Sequence, residues 1–244
     1  MSPPTRAPIA IVVNGPSSAG KSTLCEHLHR ALVRRRASHP DAAAFFRVAF
    51  DDFLHHVHPH MLPRSFLLLT GGDIQDCASR APHDGAACFE YVDETLLSSD
   101  EREASTTRLA RLVLSSVGER FLAGQTLGWG AHLALGTNLL VDAFLQDEAW
   151  AVDLRGALTK ANARVLLVGL DGDVETLEWR ERARGDRFPG MARRSARVVH
   201  AHDWPREYHV RASIGSGSEN DEGKATVDVV VQRVLQELAR LEES

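Results

Sequence analysis

A short stretch near the N-terminus does most to limit how this chain can fold. Ile9-Ala-Ile-Val-Val13 is wholly apolar and rich in β-branched residues, and it runs straight into Asn14-Gly15-Pro16-Ser17-Ser18-Ala19-Gly20-Lys21-Ser22. An apolar run without alternation reads as a strand buried on both faces, the kind found in parallel sheets covered by helices. From Lys21 to about Arg36 the pattern turns helical, with Leu24, Leu28, Ala31 and Leu32 on one stripe. Strand, loop and helix therefore surround a complete G-x-x-x-x-G-K-[ST] motif. Its glycines let the backbone curl so that successive N–H groups point inward as an anion nest, and the helix adds its positive end. Lys21 is placed to reach β- and γ-phosphates, and the Ser22 hydroxyl to ligate Mg²⁺. The expected nucleotide-binding set is Gly15, Pro16, Ser17, Ser18, Ala19, Gly20, Lys21, Ser22 and Thr23, with Lys21 also acting in catalysis. The motif specifies a nucleotide, with ATP and Mg²⁺ the expected cofactors, and leaves the reaction open.

The rest of the chain repeats the strand-then-helix order. Phe45 to Phe50, Thr137 to Asp142 and Ala163 to Leu170 read as further strands, and Tyr208 to Ala212 as a weak fifth. Helices are predicted over Glu101 to about Phe121, Gln146 to Lys160, Asp173 to Gly190 and Thr226 to Leu241. Residues 62–103 are punctuated by Pro63, Gly71, Gly72, Pro82 and Gly85, and carry at most short elements, among them a helix over Ala86 to Leu97. The segment is too long for an idle connection and reads as an insertion over the substrate side. The expectation is a single α/β domain over 1–244: a parallel five-stranded sheet with helices on both faces.

Composition excludes several classes. The 244 residues are 43% hydrophobic and 25% charged, which rules out a mostly disordered chain. With 28 Lys plus Arg against 33 Asp plus Glu, the net charge of −5 argues against a general nucleic-acid binder. No apolar run approaches the ~20 residues that cross a bilayer, and Asn14 and Gly15 interrupt any signal-peptide core, so no membrane partner is expected. Cys25, Cys77 and Cys88 are odd in number and widely spaced. Reduced thiols in a cytoplasmic protein are the expectation. The oligomeric state is left open.

Three groups of residues carry candidate chemistry. Asp51 and Asp52 close the second strand, at the strand ends where ligands of open α/β sheets bind. One of them, with Asp51 preferred, is the candidate base that takes a proton from an acceptor hydroxyl; the other caps the following helix. Asp142 closes the third strand and, with Ser22, is the candidate metal pair; the alternative is a strand-end turn residue. Arg180, Arg182, Arg184 and Arg187 crowd one segment. A spacing of four puts Arg180 and Arg184 on one helix face, as an arginine-bearing lid over 180–192 that grips phosphate requires. The alternative is a solvated charged helix with Glu178 and Glu181 as partners.

Ile11-Val-Val-Asn-Gly-Pro-Ser-Ser-Ala-Gly-Lys-Ser22, Phe50-Asp-Asp-Phe-Leu54, and Ala183-Arg-Gly-Asp-Arg-Phe-Pro-Gly-Met-Ala192 followed by Val198-Val-His200 resemble the chloramphenicol phosphotransferase family. The ARGDR-x-x-GMA run with VVH is the most specific part. The resemblance implies a P-loop kinase-like fold, similar to nucleoside monophosphate and shikimate kinases. It implies Asp51 as the base, and Arg184 and Arg187 among the phosphate-gripping cations. The partner it implies is a small hydroxylated acceptor, an antibiotic among the candidates. Two departures stand out. Ala143 occupies a position where family members often carry a second acid, and the segment between Met61 and Glu103 is longer than the family's equivalent.

His55, His56, His58 and His60 form a cluster, but Pro59 breaks metal-ligand geometry and no carboxylate follows in register; they are expected to flank the acceptor cleft. Trp129, Trp150, Trp179 and Trp204 are expected in the core or the cleft wall. Two further readings stay open: a kinase of another metabolite, such as a nucleotide sugar, as in zeta-type toxins, and a non-catalytic nucleotide sensor.

Overall fold

The computed structural model describes residues 6–52, 87–93, 109–184, 188–202, 204, 207–215 and 225–244. In chain order the elements are β1 (Ile9–Asn14), α1 (Lys21–Ser38), β2 (Phe45–Ala49), β3 (Phe89–Asp93), β4 (Ala110–Leu114), α2 (Ser116–Ala134), β5 (Asn138–Asp142), α3 (Glu148–Lys160), β6 (Arg164–Asp171), α4 (Val174–Arg184), α5 (Met191–Val198), β7 (Val210–Ser213) and α6 (Val227–Glu243). The main sheet has five strands in the order β2-β5-β1-β6-β7. Every pairing in it is parallel.

The central position of β1 explains its composition. All six of its residues are buried. Ile9, Ile11 and Val13 point to the face covered by α1 and α6, where they meet Leu24, Leu28, Val230 and Val234. Ala10 and Val12 point to the other face, against Leu122, Leu133, Leu154 and Leu158 from α2 and α3. A strand with a hydrophobic layer on each side has no polar positions, and burying each Val, Leu or Ile side chain contributes roughly 1.5–3 kcal/mol. The strand order places the C-terminal ends of β1, β2 and β5 side by side, which sets the P-loop next to Asp51 and Asp142.

Four expectations need correction. Residues 89–93, expected in a helix, form β3, which pairs antiparallel with β4, Tyr91 opposite Leu112. Residues 110–114, also expected to be helical, are β4 itself. The helix there begins only at Ser116, where the Ser115 hydroxyl accepts the Gly118 N–H at 3.3 Å. Leu109, Leu112 and Val113 fit a helical period, but a short apolar run fits a strand equally well, and cross-strand pairing decided it. The helix expected from Asp173 to Gly190 stops at Arg184, and α5 follows from Gly190, whose φ of 97° is the left-handed backbone that glycine adopts readily. Trp129 is buried and Trp204 half-buried, as expected, whereas Trp179 is 58% exposed.

Cys25 and Cys88 are free and buried. The histidine cluster, Cys77, Arg187 and most of the expected insertion lie outside the described residues. Among the described residues no helix is long and apolar enough to cross a membrane.

Candidate active site

The P-loop is held by close packing at both ends. A Cβ on Gly15 would lie 2.6 Å from the Leu170 carbonyl oxygen, so β6 can approach only a glycine there. Ser18 takes a φ of 64°, rare for a side-chain-bearing residue, and Gly20 a φ of 93°. Helix α1 starts at this turn with no side-chain cap and no acid in its first turn. Its first N–H groups are therefore turned toward the loop's concave side, an anion site by construction. The Ser18 hydroxyl is buried and has no hydrogen-bond partner among the described residues. A strained, glycine-framed loop with an uncapped helix end and an orphaned hydroxyl fits a phosphate chain.

Lys21 donates to the carbonyls of Gly15 and Pro16, each at 2.9 Å, and its ammonium lies 5.1 Å from the centre of the Phe144 ring. The ammonium thus sits over the loop rather than out in solvent. The Ser22 hydroxyl lies beside the carboxylate of Asp142, which is 6% exposed. Burial pushes the Asp142 carboxyl above its usual range; Lys21, the Ser22 hydroxyl and Arg47 pull it down, and Asp51 pushes it up. Asp142 is thus electrostatically joined to Lys21 and to Asp51. Arg47 reaches it from β2, 3.9 Å away. Among the described residues no group of three or more His, Cys, Asp or Glu could hold a metal ion by itself. Ser22 and Asp142 fit the sparse protein shell of Mg²⁺, which keeps waters and takes phosphate oxygens.

Asp51 and Asp52 separate. Asp52 turns back and accepts the Ala49 N–H at 2.7 Å, closing the end of β2. Asp51 faces a cleft of about 910 Å³, open to solvent, that it shares with Lys21, Ser22, Thr23, Asp142 and Arg184. The backbone at this point is fixed, because the Phe50 N–H donates to the Asp142 carbonyl at 3.0 Å. The remaining wall is apolar and largely aromatic: Phe50, Phe89, Tyr91, Leu112, Phe144 and Trp150 line it.

The arginines expected to form a lid do not act as one set. Arg184 lines the cleft, while Arg180 donates to the Ile214 carbonyl at 2.8 Å, behind Gly20. Arg187 lies outside the described residues. Glu181 is no solvated partner: it is 4% exposed and accepts the N–H groups of Gly190 at 2.8 Å and Ala192 at 2.7 Å, capping α5. Glu178 does pair with an arginine, Arg193 of α5, through two bonds of 2.5 and 2.9 Å.

Sequence reasoning missed the residues that join α5 to the P-loop. The Ser195 hydroxyl accepts the Ser17 N–H at 2.9 Å. Asn14 donates to the Val199 carbonyl at 2.9 Å and to the Tyr208 hydroxyl at 3.0 Å, and accepts the Leu145 N–H at 3.2 Å. An Asn ending a wholly apolar strand was the available signal, because a buried amide needs partners.

Two solved structures share this architecture. A provisional kinase from Chloroflexus aurantiacus j-10-fl superposes with a TM-score of 0.54 at 14% identity, over 97% of this chain and 99% of that one. Kti12 from Chaetomium thermophilum, in complex with ADP-AlF3, gives 0.51 at 14% identity, over 95% and 98%. At such identities the likeness speaks for the fold, an α/β P-loop kinase-like fold. No curated protein matches the chain. The profile of the chloramphenicol phosphotransferase-like proteins matches residues 9–219, which include the P-loop, Asp51, Asp142 and the ARGDR run, and family and fold together support a nucleotide-dependent, kinase-like function. The chain belongs to the chloramphenicol phosphotransferase-like family.

Proposed function

We propose that this protein is an ATP- and Mg²⁺-dependent O-phosphotransferase that phosphorylates a hydroxyl of a small molecule, most simply an antibiotic that it inactivates. The observation that carries this reading is one cleft in which the P-loop, Asp51 and an apolar aromatic wall meet. Bound ATP with Mg²⁺ supplies the γ-phosphoryl group and an ADP leaving group.

The chain's own residues supply the rest. The loop from Gly15 to Thr23 binds the phosphates through its backbone, and Ser22 with Asp142 holds the metal. Lys21, Arg184 and Arg187 are the cations that balance charge on the transferring group. Arg180, seated at Ile214, belongs to the nucleotide side. Asp51 accepts the proton of the acceptor hydroxyl, so that the oxygen can bond to phosphorus as the bond to the ADP oxygen breaks. Asp52, committed to Ala49, positions that turn. The wall from Phe50 to Trp150 favours an acceptor with an apolar or aromatic body, since a nucleotide sugar would need more polar partners than it offers.

The test is ATP consumption screened over hydroxylated antibiotics and sugars. Turnover should appear only with an acceptor present and should vanish in Lys21→Ala. Asp51→Asn should lower kcat by about 10²-fold or more with nucleotide affinity nearly unchanged, the range for a positioned base. Asp52→Asn should act mainly on KM or stability. Turnover without acceptor, or near-wild-type rates in Lys21→Ala, would overturn the proposal. Nucleotide binding with no acceptor in any class would favour the sensor reading.

A further inference from the structure

The small β3–β4 sheet and the segment that leads into α5 come from distant parts of the chain, yet they share an interface. The Tyr91 ring of β3 stacks on Phe188, with centroids 4.9 Å apart and planes at 15°. Phe89 meets the Tyr91 ring edge-on at 5.7 Å and 82°. Next to the stack the backbones touch: the Ala110 N–H of β4 donates to the Gly190 carbonyl at 3.3 Å. The far side of the sheet is anchored too. Arg111 donates to the Asp147 carboxylate at 2.8 Å, and Gln146 donates to the Leu112 carbonyl at 2.7 Å. Arg194 of α5 closes the ring by donating to the Gln146 carbonyl at 3.3 Å.

Tyr91 therefore joins two parts of the site. It lines the apolar wall of the cleft, and it stacks on Phe188, two residues before Gly190, whose N–H donates to Glu181 of α4; that helix ends at Arg184, which lines the phosphate side of the same cleft. Phe188 itself is followed by Gly190 and α5, which is joined to the P-loop through Ser195 and Ser17. Neither ring belongs to the phosphate-binding motif.

We propose that Tyr91 is a positioning residue for α4: its stack on Phe188, passed on through Gly190 to Glu181, fixes the end of the helix that carries Arg184, so the acceptor wall and the phosphate-gripping cation are set by one ring pair. This rests on the nucleotide-site reading above. The consequence is that truncating a residue of the acceptor wall weakens binding of the nucleotide alone, with no acceptor present.

The experiment is calorimetric titration of Mg²⁺ and a non-hydrolysable ATP analogue into the full chain and into Tyr91→Ala, Phe188→Ala, the double variant and Tyr91→Phe. Each alanine variant should weaken binding by about 2- to 10-fold, the span one aromatic pair carries. The double variant should lose no more than either single one, because both remove the same contact. Tyr91→Phe keeps the ring and should bind within about twofold of the unchanged chain. A stack that served only stability would lower the unfolding midpoint of the alanine variants and leave the affinity of the folded protein unchanged. Unchanged affinity in both alanine variants, or fully additive losses, would overturn the proposal. If Tyr91→Ala fails to fold, Phe188→Ala against Phe188→Tyr decides on the same criterion. Lys21→Ala separates the two levels: if it binds the analogue as well as the unchanged chain, the nucleotide-site reading fails, and this inference with it.

Discussion

His200 shows how much one side chain can hold together behind the P-loop. Its Nε2 lies 3.0 Å from the Leu170 carbonyl, which can only accept, so Nε2 carries the proton. In the neutral ring Nδ1 then accepts from the Tyr208 hydroxyl at 2.9 Å, and that hydroxyl oxygen in turn accepts from Asn14 at 3.0 Å. Gly169 makes room for this, since a Cβ there would lie 2.8 Å from the Tyr208 ring. Burial is the main cause that lowers the His200 pKa below its ordinary 6.5, against the pull of the Leu170 carbonyl and Asp171. The sign follows directly. Below 6.5 the unfolded chain binds a proton that the folded one resists, so stability falls as pH drops from 6.5 and levels off below the depressed folded value. Urea unfolding between about pH 5 and 7 should show this slope, and His200→Gln should flatten it. An equal slope in the variant would assign the pH dependence to other groups. The signal for this network in the sequence was slight: Asn14 was visible as a polar end to an apolar strand, but its partners Val199 and Tyr208 lie 185 and 194 residues away.

At the scale of elements, α5 depends on its neighbour. It has eight residues, begins at a glycine with no side-chain cap, and has no acid in its first turn. A helix this short is marginal alone, and Arg193 and Arg194 near its N-terminus oppose its dipole. Glu181 of α4 supplies both the missing acceptor and the missing negative charge. Glu181→Ala leaves two buried N–H groups without partners and should cost roughly 2 kcal/mol or more, read as a lower urea midpoint. Glu181→Gln keeps one acceptor and should cost less. A loss under about 0.5 kcal/mol in the alanine variant would mean that water or Glu178 replaces the cap. The charge run that the sequence presents between Trp179 and Gly190 thus divides by element: one acid is a buried cap, one arginine faces the cleft, another is seated at Ile214.

For the whole molecule, the P-loop, α5, the β3–β4 sheet and the end of β5 meet around one cleft, so a ligand in that cleft binds only the folded chain. Mg²⁺ with an ATP analogue should raise the unfolding midpoint by an amount that grows with ligand, about 2.7 kcal/mol at a hundredfold excess over Kd. Lys21→Ala should show almost none of this shift, and an equal shift in that variant would place the nucleotide elsewhere. What the sequence by itself determined is local. The P-loop spans eight residues between a strand and a helix that announce themselves by period, and Asp51, Asp142 and the terminal helix follow from the same strand-end and periodicity rules. Within the P-loop every chemical group is a covalent near-neighbour of its partners, so spacing is enough. Tertiary structure alone decided the rest: that residues 110–114 pair with 89–93 rather than coil, that Asp52 closes its own turn and leaves Asp51 to the cleft, that Arg47 reaches Asp142, and that Tyr91 meets Phe188. Short apolar runs satisfy a strand and a helix equally, and only a partner strand breaks the tie. Contacts between segments about a hundred residues apart follow from how the sheet is ordered and packed, which no local pattern encodes.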